Sequence, residues 1–116
     1  MNILFLGAPG SGKGTQSKNI ENKFNIPQIS TGDLLRAETA SESKMGQELK
    51  SIMSSGKFVS DDIVLKLVSK KITSSDCKNG FILDGYPRNL AQATSLDSLL
   101  NDLNLSIEYV FLIDVP

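Results

Sequence analysis

Histidine is absent from the 116 residues, and cysteine occurs once, as Cys77. Without histidine the chain cannot carry a Ser-His-Asp triad, imidazole acid–base catalysis or a zinc site of the usual Cys/His type. A single cysteine cannot form an internal disulfide, which predicts a reducing compartment such as the cytoplasm. These absences narrow the classes of enzyme that the chain can belong to.

The chain also lacks a strong net charge and long apolar runs. A net charge of -1, with 22% charged residues, supplies no basic field for nucleic acid and no polybasic segment for an anionic membrane. No apolar run approaches the ~18 residues of a membrane span, and the opening segment lacks the basic residues of a signal peptide. We therefore expect one cytoplasmic domain that acts on a small molecule, with neither a membrane nor a nucleic acid as partner.

Three short apolar runs, at residues 3–6, 81–83 and 109–113, are unbroken rather than alternating. This pattern is typical of parallel strands that are buried on both faces. Between them, apolar residues recur at helical spacing around residues 45–53, 63–72 and 90–103, and the second of these stripes follows a capping serine, Ser60. Alternating strand and helix signals predict an α/β domain.

The string GAPGSGKGT at residues 7–15 follows the first apolar run directly and fits the pattern G-x-x-x-x-G-K. Glycines allow backbone N–H groups to turn toward phosphate oxygens, Lys13 adds a positive charge, and a following helix presents its positive N-terminus. A glycine-rich turn without a ligand needs neither the lysine nor the flanking strand and helix, so the string predicts a nucleotide site. Gly14 stands where Ser or Thr is usual and the hydroxyl is on Thr15, which indicates a subset of P-loop proteins.

Arginine occurs only twice, as Arg36 and Arg88, and each ends a distinctive string. Arg88 closes FILDGYPR, in which an apolar strand ends at Asp84, and an acid there can hold Mg²⁺ directly or through water. The alternative is ordinary turn chemistry, since Asp-Gly is itself a turn signal. Arg36 closes ISTGDLLR, in which Ser30 and Asp33 form a capping-box-like pair at a helix start. The alternative for Arg36 is a surface pair with Asp33, worth about 0.2–0.5 kcal/mol.

Four strings, GAPGSGKGT, ISTGDLLR, GKFVSD and GFILDGYPRNLAQA, resemble those of adenylate kinases in chain order and spacing, and the resemblance covers essentially all of the chain. It implies a P-loop NTPase-type parallel sheet flanked by helices, with a helical AMP-binding insertion. It also implies reversible, Mg²⁺-dependent phosphoryl transfer from ATP to AMP, giving two ADP, by a monomer whose partners are these nucleotides.

The resemblance assigns roles to individual residues. It places the ATP phosphates against Gly10, Ser11, Gly12, Lys13, Gly14 and Thr15. It places AMP against Thr31, Arg36, Lys57, Phe58, Val59, Gly85, Tyr86, Pro87, Arg88 and Gln92. Within these sets Lys13 and Arg88 are catalytic, both arginines clamp the AMP phosphate, and Gln92 faces the adenine. Asp84 would be the magnesium ligand.

The implied reaction is compatible with a chain that has no histidine. An AMP phosphate has a second pKa near ~6, so its oxygen is already anionic at neutral pH and needs no general base. The reaction instead requires two polyanions to be held in line while charge on the moving phosphoryl group is stabilised.

Three alternative functions are a related nucleotide kinase, a signalling GTPase and a non-catalytic module. A UMP/CMP kinase shares the P-loop and the DG-x-P-R string. Thr31 and Gln92 favour adenine, because the pyrimidine nucleotide kinases typically carry Ala and Asn at these two positions. A signalling GTPase usually carries Asn-Lys-x-Asp, whereas the nearest string here, at residues 22–25, ends in Asn25. A non-catalytic nucleotide-binding module is the third alternative.

The expected organisation is a P-loop core of residues 1–29 and 60–116 with an AMP-binding insertion of residues 30–59. In the adenylate kinase pattern the chain continues into a lid, further arginines, another strand and a helix, so we expect this core to be incomplete. Both arginines then serve AMP, and an arginine on the transferred phosphate can be worth about 10³–10⁵ in rate. We expect the 116 residues alone to be nearly inactive and marginally stable, with an uncovered strand edge at residues 109–115.

Overall fold

The computed structural model describes residues 1–7 and 13–113 and has the predicted α/β architecture. Its elements are, in order, β1 (Asn2–Gly7), α1 (Lys13–Phe24), β2 (Gln28–Ser30), α2 (Thr31–Ala40), α3 (Lys44–Ser54), α4 (Asp61–Ile72), a 3-10 turn (Ser75–Cys77), β3 (Phe81–Asp84), α5 (Leu90–Asp102) and β4 (Tyr109–Ile113). The strands form one parallel sheet in the order β2-β3-β1-β4. Among the described helices, none is long and apolar enough to span a membrane.

The strand register brings the carboxyl ends of the strands to one edge of the sheet. Asp84, the last residue of β3, is opposite Phe5 in β1 and Ser30 in β2, and Gly7 at the end of β1 is opposite Ile113. In open α/β sheets, ligands bind outside this edge. The glycine-rich string therefore leaves the sheet at the edge where a ligand is expected.

Side chains of β3 enter the hydrophobic core on both faces of the sheet, which explains why the run is unbroken. Phe81 and Leu83 pack on one face with residues of α4 and α5, whereas Ile82 packs on the other face with Ile3 and Phe5 of β1. All of these side chains are at most 1% exposed. A strand with period-two geometry must be apolar at every position when both faces are covered.

Short polar side chains begin four of the helices. The hydroxyls of Ser30, Ser43 and Ser60 accept hydrogen bonds from the first turns of α2, α3 and α4, and the Asn89 side chain does so for α5. Such a cap stabilises a helix by about 1 kcal/mol. Between residues 41 and 60, α3 covers Lys44–Ser54, and two serines of this stretch, Ser43 and Ser60, begin helices.

The structure differs from the sequence prediction at β2 and agrees with it at β4. The strand β2 has three residues, of which only Ile29 is apolar, so no periodicity marks it, and pairing with β3 stabilises it. At the other edge of the sheet, no further strand covers β4 among the described residues, and its Tyr109, Val110, Phe111 and Leu112 are exposed. The predicted extension of this edge to residue 115 lies outside the described residues.

Candidate functional site

A cavity of about 540 Å³ opens between the two helices of residues 31–54 and the loop that follows β3. Helices α2, α3, α4 and α5 and two connecting loops contribute to its walls. Its lining residues are Thr31, Leu35, Met53, Gly56, Lys57, Phe58, Val59, Asp61, Val64, Tyr86, Arg88 and Gln92. Most of the side chains that the resemblance assigns to AMP therefore line one cavity, although they are distributed over some sixty residues of sequence.

The C-terminus of α3 and the turn that follows it form one wall of the cavity. Gly56 has φ of +75°, its N–H donates to the Met53 carbonyl, and the Lys57 N–H donates to the Ile52 carbonyl. These two bonds form the Schellman motif, in which glycine is favoured because other residues rarely adopt this conformation. The turn places the following residues at the rim of the cavity, where the Phe58 ring is 99% exposed.

The loop after β3 forms the opposite wall and is bonded to the sheet. Gly85 has φ of +72°, and its N–H donates to the Phe5 carbonyl of β1 at 2.9 Å. The Tyr86 side chain is buried, and burial raises the pKa of its phenol, with a further contribution from the negative charge of Asp61. The Arg88 Nε donates to the Gly85 carbonyl at 2.8 Å, and this hydrogen bond holds the Nε end of the guanidinium group beside the cavity.

Gln92 on α5 is held by hydrogen bonds at both ends of its side-chain amide. Its Oε1 accepts from the Arg88 backbone N–H at 2.8 Å, and its Nε2 donates to Asp61 Oδ1 at 2.7 Å. Its own backbone N–H donates to the Asn89 side chain that caps the helix. The amide is therefore oriented by α4 and by the β3 loop before any ligand arrives.

Arg36 contacts Asp33 one turn away on α2, and it is not among the residues that line the cavity. The hydrogen bond from its guanidinium is the main cause of a lowered pKa of the Asp33 carboxyl. Both side chains are about 70% exposed, so their ion pair contributes little to stability. The surface pair that was the alternative interpretation of Arg36 is thus present in this structure.

Asp84 lies at the carboxyl edge of the sheet, next to the strand that leads into the glycine-rich string. Its Oδ2 accepts a 2.5 Å hydrogen bond from the Gln28 Nε2 on the neighbouring strand. Among the described residues, no group of three or more His, Cys, Asp or Glu side chains could hold a metal ion. Mg²⁺ that arrives with nucleotide phosphates requires only one or two carboxylates, so a single Asp fits such an ion.

The remaining predicted site residues fall partly outside the described part of the chain. Gly10, Ser11, Gly12 and the side chain of Lys13 lie outside the described part. The backbone of Lys13 and Gly14 begins α1, and Thr15 is exposed in the first turn of this helix. Pro87 lies between Tyr86 and Arg88 in the β3 loop, after a cis peptide bond.

Several lining residues were not predicted from the sequence. Leu35, Met53 and Val64 carry no polar group, and the last two belong to helical stripes that the sequence assigns to the core. Asp61 directly follows the capping serine Ser60, and this sequence context indicates only a helix start. Its contact with Gln92 joins positions 31 residues apart, and no local pattern reveals such a contact.

Comparison with known proteins agrees with this architecture. The family model described as adenylate kinase matches residues 5–116. The chain is 51% identical over 116 residues to the adenylate kinase of Thermodesulfovibrio yellowstonii and 48% identical to that of Archaeoglobus fulgidus. Each alignment covers 100% of this chain and 54% of the relative, so the chain spans about half the length of these curated relatives. The match to the family model over nearly every residue establishes that this chain belongs to the adenylate kinase family.

Proposed function

We propose that the protein transfers a phosphoryl group reversibly from ATP to AMP, giving two ADP, and that AMP binds in the 540 Å³ cavity. The observation that carries this proposal is the convergence of Thr31, Arg88 and Gln92 on one cavity at the carboxyl edge of the sheet. The glycine-rich string begins at the same edge, directly after β1. A donor and an acceptor nucleotide can therefore approach each other across this edge.

In the proposed reaction an anionic oxygen of the AMP phosphate forms a bond to the γ-phosphorus of ATP. The bond from that phosphorus to the bridging β–γ oxygen breaks, and its electron pair remains on the β-phosphate of the departing ADP. No proton has to be removed, because the attacking phosphate is mostly ionised above pH ~6. The task of the residues is alignment and charge stabilisation, which we assign to Lys13 and Arg88.

AMP binding requires Arg36 to turn toward the phosphate. Its guanidinium contacts Asp33 in this structure, and an exposed pair of this kind is worth only about 0.2–0.5 kcal/mol. A phosphate dianion is a stronger partner for a planar guanidinium, since it accepts two parallel hydrogen bonds. The pair with Asp33 is therefore a weak obstacle to binding.

Asp84 is the residue that we assign to the Mg²⁺ that accompanies ATP. The ion, when bound, would stabilise the negative charge on the phosphate oxygens. The hydrogen bond from Gln28 keeps the Asp84 carboxylate at the sheet edge, where the glycine-rich string brings the phosphates. Asp84→Asn is expected to weaken binding of MgATP more than binding of AMP.

We further propose that residues 30–59 form the AMP-binding unit on a P-loop core of residues 1–29 and 60–116, in a monomeric, cytoplasmic protein. Within this unit α2 packs on α3, with Gly46 at the close approach.

Residues 1–116 as an isolated polypeptide should be nearly inactive, because they contain only two arginines and both are assigned to AMP. Rapid turnover by that polypeptide with ATP, AMP and Mg²⁺ would contradict this expectation.

Titration of AMP, CMP and UMP into the full-length protein tests the choice of base, and a coupled assay with ATP and Mg²⁺ tests transfer. We expect AMP to bind most tightly, and Gln92→Ala to reduce its preference over CMP by about tenfold, since one or two hydrogen bonds to the base are lost. Gln47→Ala on the exposed face of α3 is the matched control and should leave the AMP affinity and the preference for AMP over CMP unchanged. Tighter binding of CMP or UMP would favour a pyrimidine nucleotide kinase, and binding without transfer would favour a non-catalytic module.

A further inference from the structure

The two hydrogen-bond partners of the Gln92 amide are of opposite kinds. The Arg88 backbone N–H, 2.8 Å from Oε1, can only donate, and the Asp61 carboxylate, 2.7 Å from Nε2, can only accept when ionised. A rotation of the amide by 180° would place two donors together and two acceptors together. Only one of the two amide orientations is therefore compatible with both partners.

An oriented amide presents a defined pattern to a ligand. A glutamine amide has two lone pairs on oxygen and two N–H groups, and Arg88 and Asp61 use one of each. One acceptor and one donor remain for a base in the cavity. Adenine offers a donating 6-amino group and an accepting N1, whereas hypoxanthine and guanine offer an accepting O6 and a donating N1–H. A 6-oxopurine therefore requires the amide in the opposite orientation.

We propose that Asp61 is a positioning residue that fixes the Gln92 amide and thereby makes the cavity select adenine over 6-oxopurines. This inference rests on the proposed function and extends it to the basis of base selection. The Arg88 N–H belongs to the backbone and is supplied by any residue except proline, so it holds Oε1 in every variant, and the Asp61 side chain adds the second constraint on the orientation.

A purely structural role for the Asp61–Gln92 bond is a poor explanation of the contact. Asp61 is exposed in the first turn of α4, and a hydrogen bond between exposed side chains adds little to folding stability. A negative charge at this helix N-terminus is favourable, but Asp62 in the same turn supplies one as well. Asp62 is therefore the matched control for helix and charge effects.

The test is calorimetric titration of AMP and IMP into the full-length protein and three variants. Asp61→Asn can present either an oxygen or an NH₂ group to Gln92, so a turned Gln92 amide that accepts hypoxanthine is then mismatched with the Arg88 N–H alone rather than with both partners. We expect the ratio of the IMP Kd to the AMP Kd to fall by about tenfold, the equivalent of one lost charge-assisted hydrogen bond. Asp61→Ala should lower the ratio in the same direction, because water replaces the carboxylate and accepts or donates equally well. Asp62→Asn should leave the ratio unchanged.

The outcomes separate this inference from the proposed function. Equal weakening of AMP and IMP binding by Asp61→Asn, with native circular dichroism, would overturn it, because a structural role lowers both affinities together. A wild-type protein that prefers AMP to CMP but binds AMP and IMP equally also overturns it, and leaves the proposed function in place. A wild-type protein that prefers CMP or UMP to AMP refutes the proposed function itself.

Discussion

The end of α2 lies against Gly46 of α3, and a methyl group at Gly46 should destabilise the protein. A Cβ atom built on Gly46 would lie 2.8 Å from the Ser41 carbonyl oxygen and even closer to the Glu38 carbonyl oxygen, whereas real Cβ contacts stay beyond 3.0 Å. Both obstacles are backbone atoms that cannot turn away as a flexible side chain can. Gly46→Ala therefore requires α3 to move away from the end of α2.

The net cost can be estimated from three contributions. Overpacking of this kind costs about 1–3 kcal/mol. The shift also weakens the cap of α3, in which the Gly46 N–H donates to the Ser43 hydroxyl at 2.9 Å, worth about 1 kcal/mol. The higher helix propensity of alanine offsets about 1 kcal/mol. We expect Gly46→Ala to lower the free energy of unfolding by about 1–3 kcal/mol.

Urea unfolding of the full-length protein followed by circular dichroism measures this cost. Ser51→Ala, on an exposed position of the same helix, is the control for helix propensity and should be neutral or slightly stabilising. Because Met53 of α3 and the Gly56 turn that follows this helix line the proposed AMP site, a shift of α3 should also weaken AMP binding. A Gly46→Ala protein as stable as the wild type would refute the reasoning, since α3 would then have room to move without cost.

Three further predictions concern charge and exposure. Asp33→Asn releases Arg36 and should tighten AMP binding about twofold, as expected for loss of an exposed pair worth 0.2–0.5 kcal/mol; weaker binding in calorimetry would instead make Asp33 a positioning residue. The pKa of Glu38 is held below its ordinary 4.5, first by the hydrogen bond from Ser43, so its contribution to stability is present above pH ~4.5 and is lost as the pH falls through the folded-state pKa. The stability difference between the wild type and Glu38→Gln in urea should accordingly shrink from pH 7 to pH 3, and a constant difference would contradict this. Phe58→Ala should leave the unfolding midpoint unchanged, because the ring is 99% exposed, but weaken AMP binding about tenfold if the ring stacks on the base; unchanged affinity would place the ring outside the site.

Local patterns were sufficient to predict most elements of the fold. The apolar runs at β1, β3 and β4 were recognisable because both faces of a parallel sheet are buried, so every position is apolar. The helix α4 was recognisable because its cap Ser60 precedes a stripe that includes Val64 and Val68, both buried in the core. In contrast, β2 has one apolar residue and exists only through its pairing with β3.

The sequence by itself determined the family and the kinds of chemistry available, because the glycine-rich string and the two arginine strings are contiguous and keep their spacing in any fold. The tertiary structure decided which of these residues meet. The cavity exists because α2, α4 and α5 pack around the carboxyl edge of the sheet. The contact of Asp61 with Gln92 crosses 31 residues of chain, a distance over which neither periodicity nor propensity carries information. The register of the strands and the packing of the helices bring such residues together, and both depend on the whole chain.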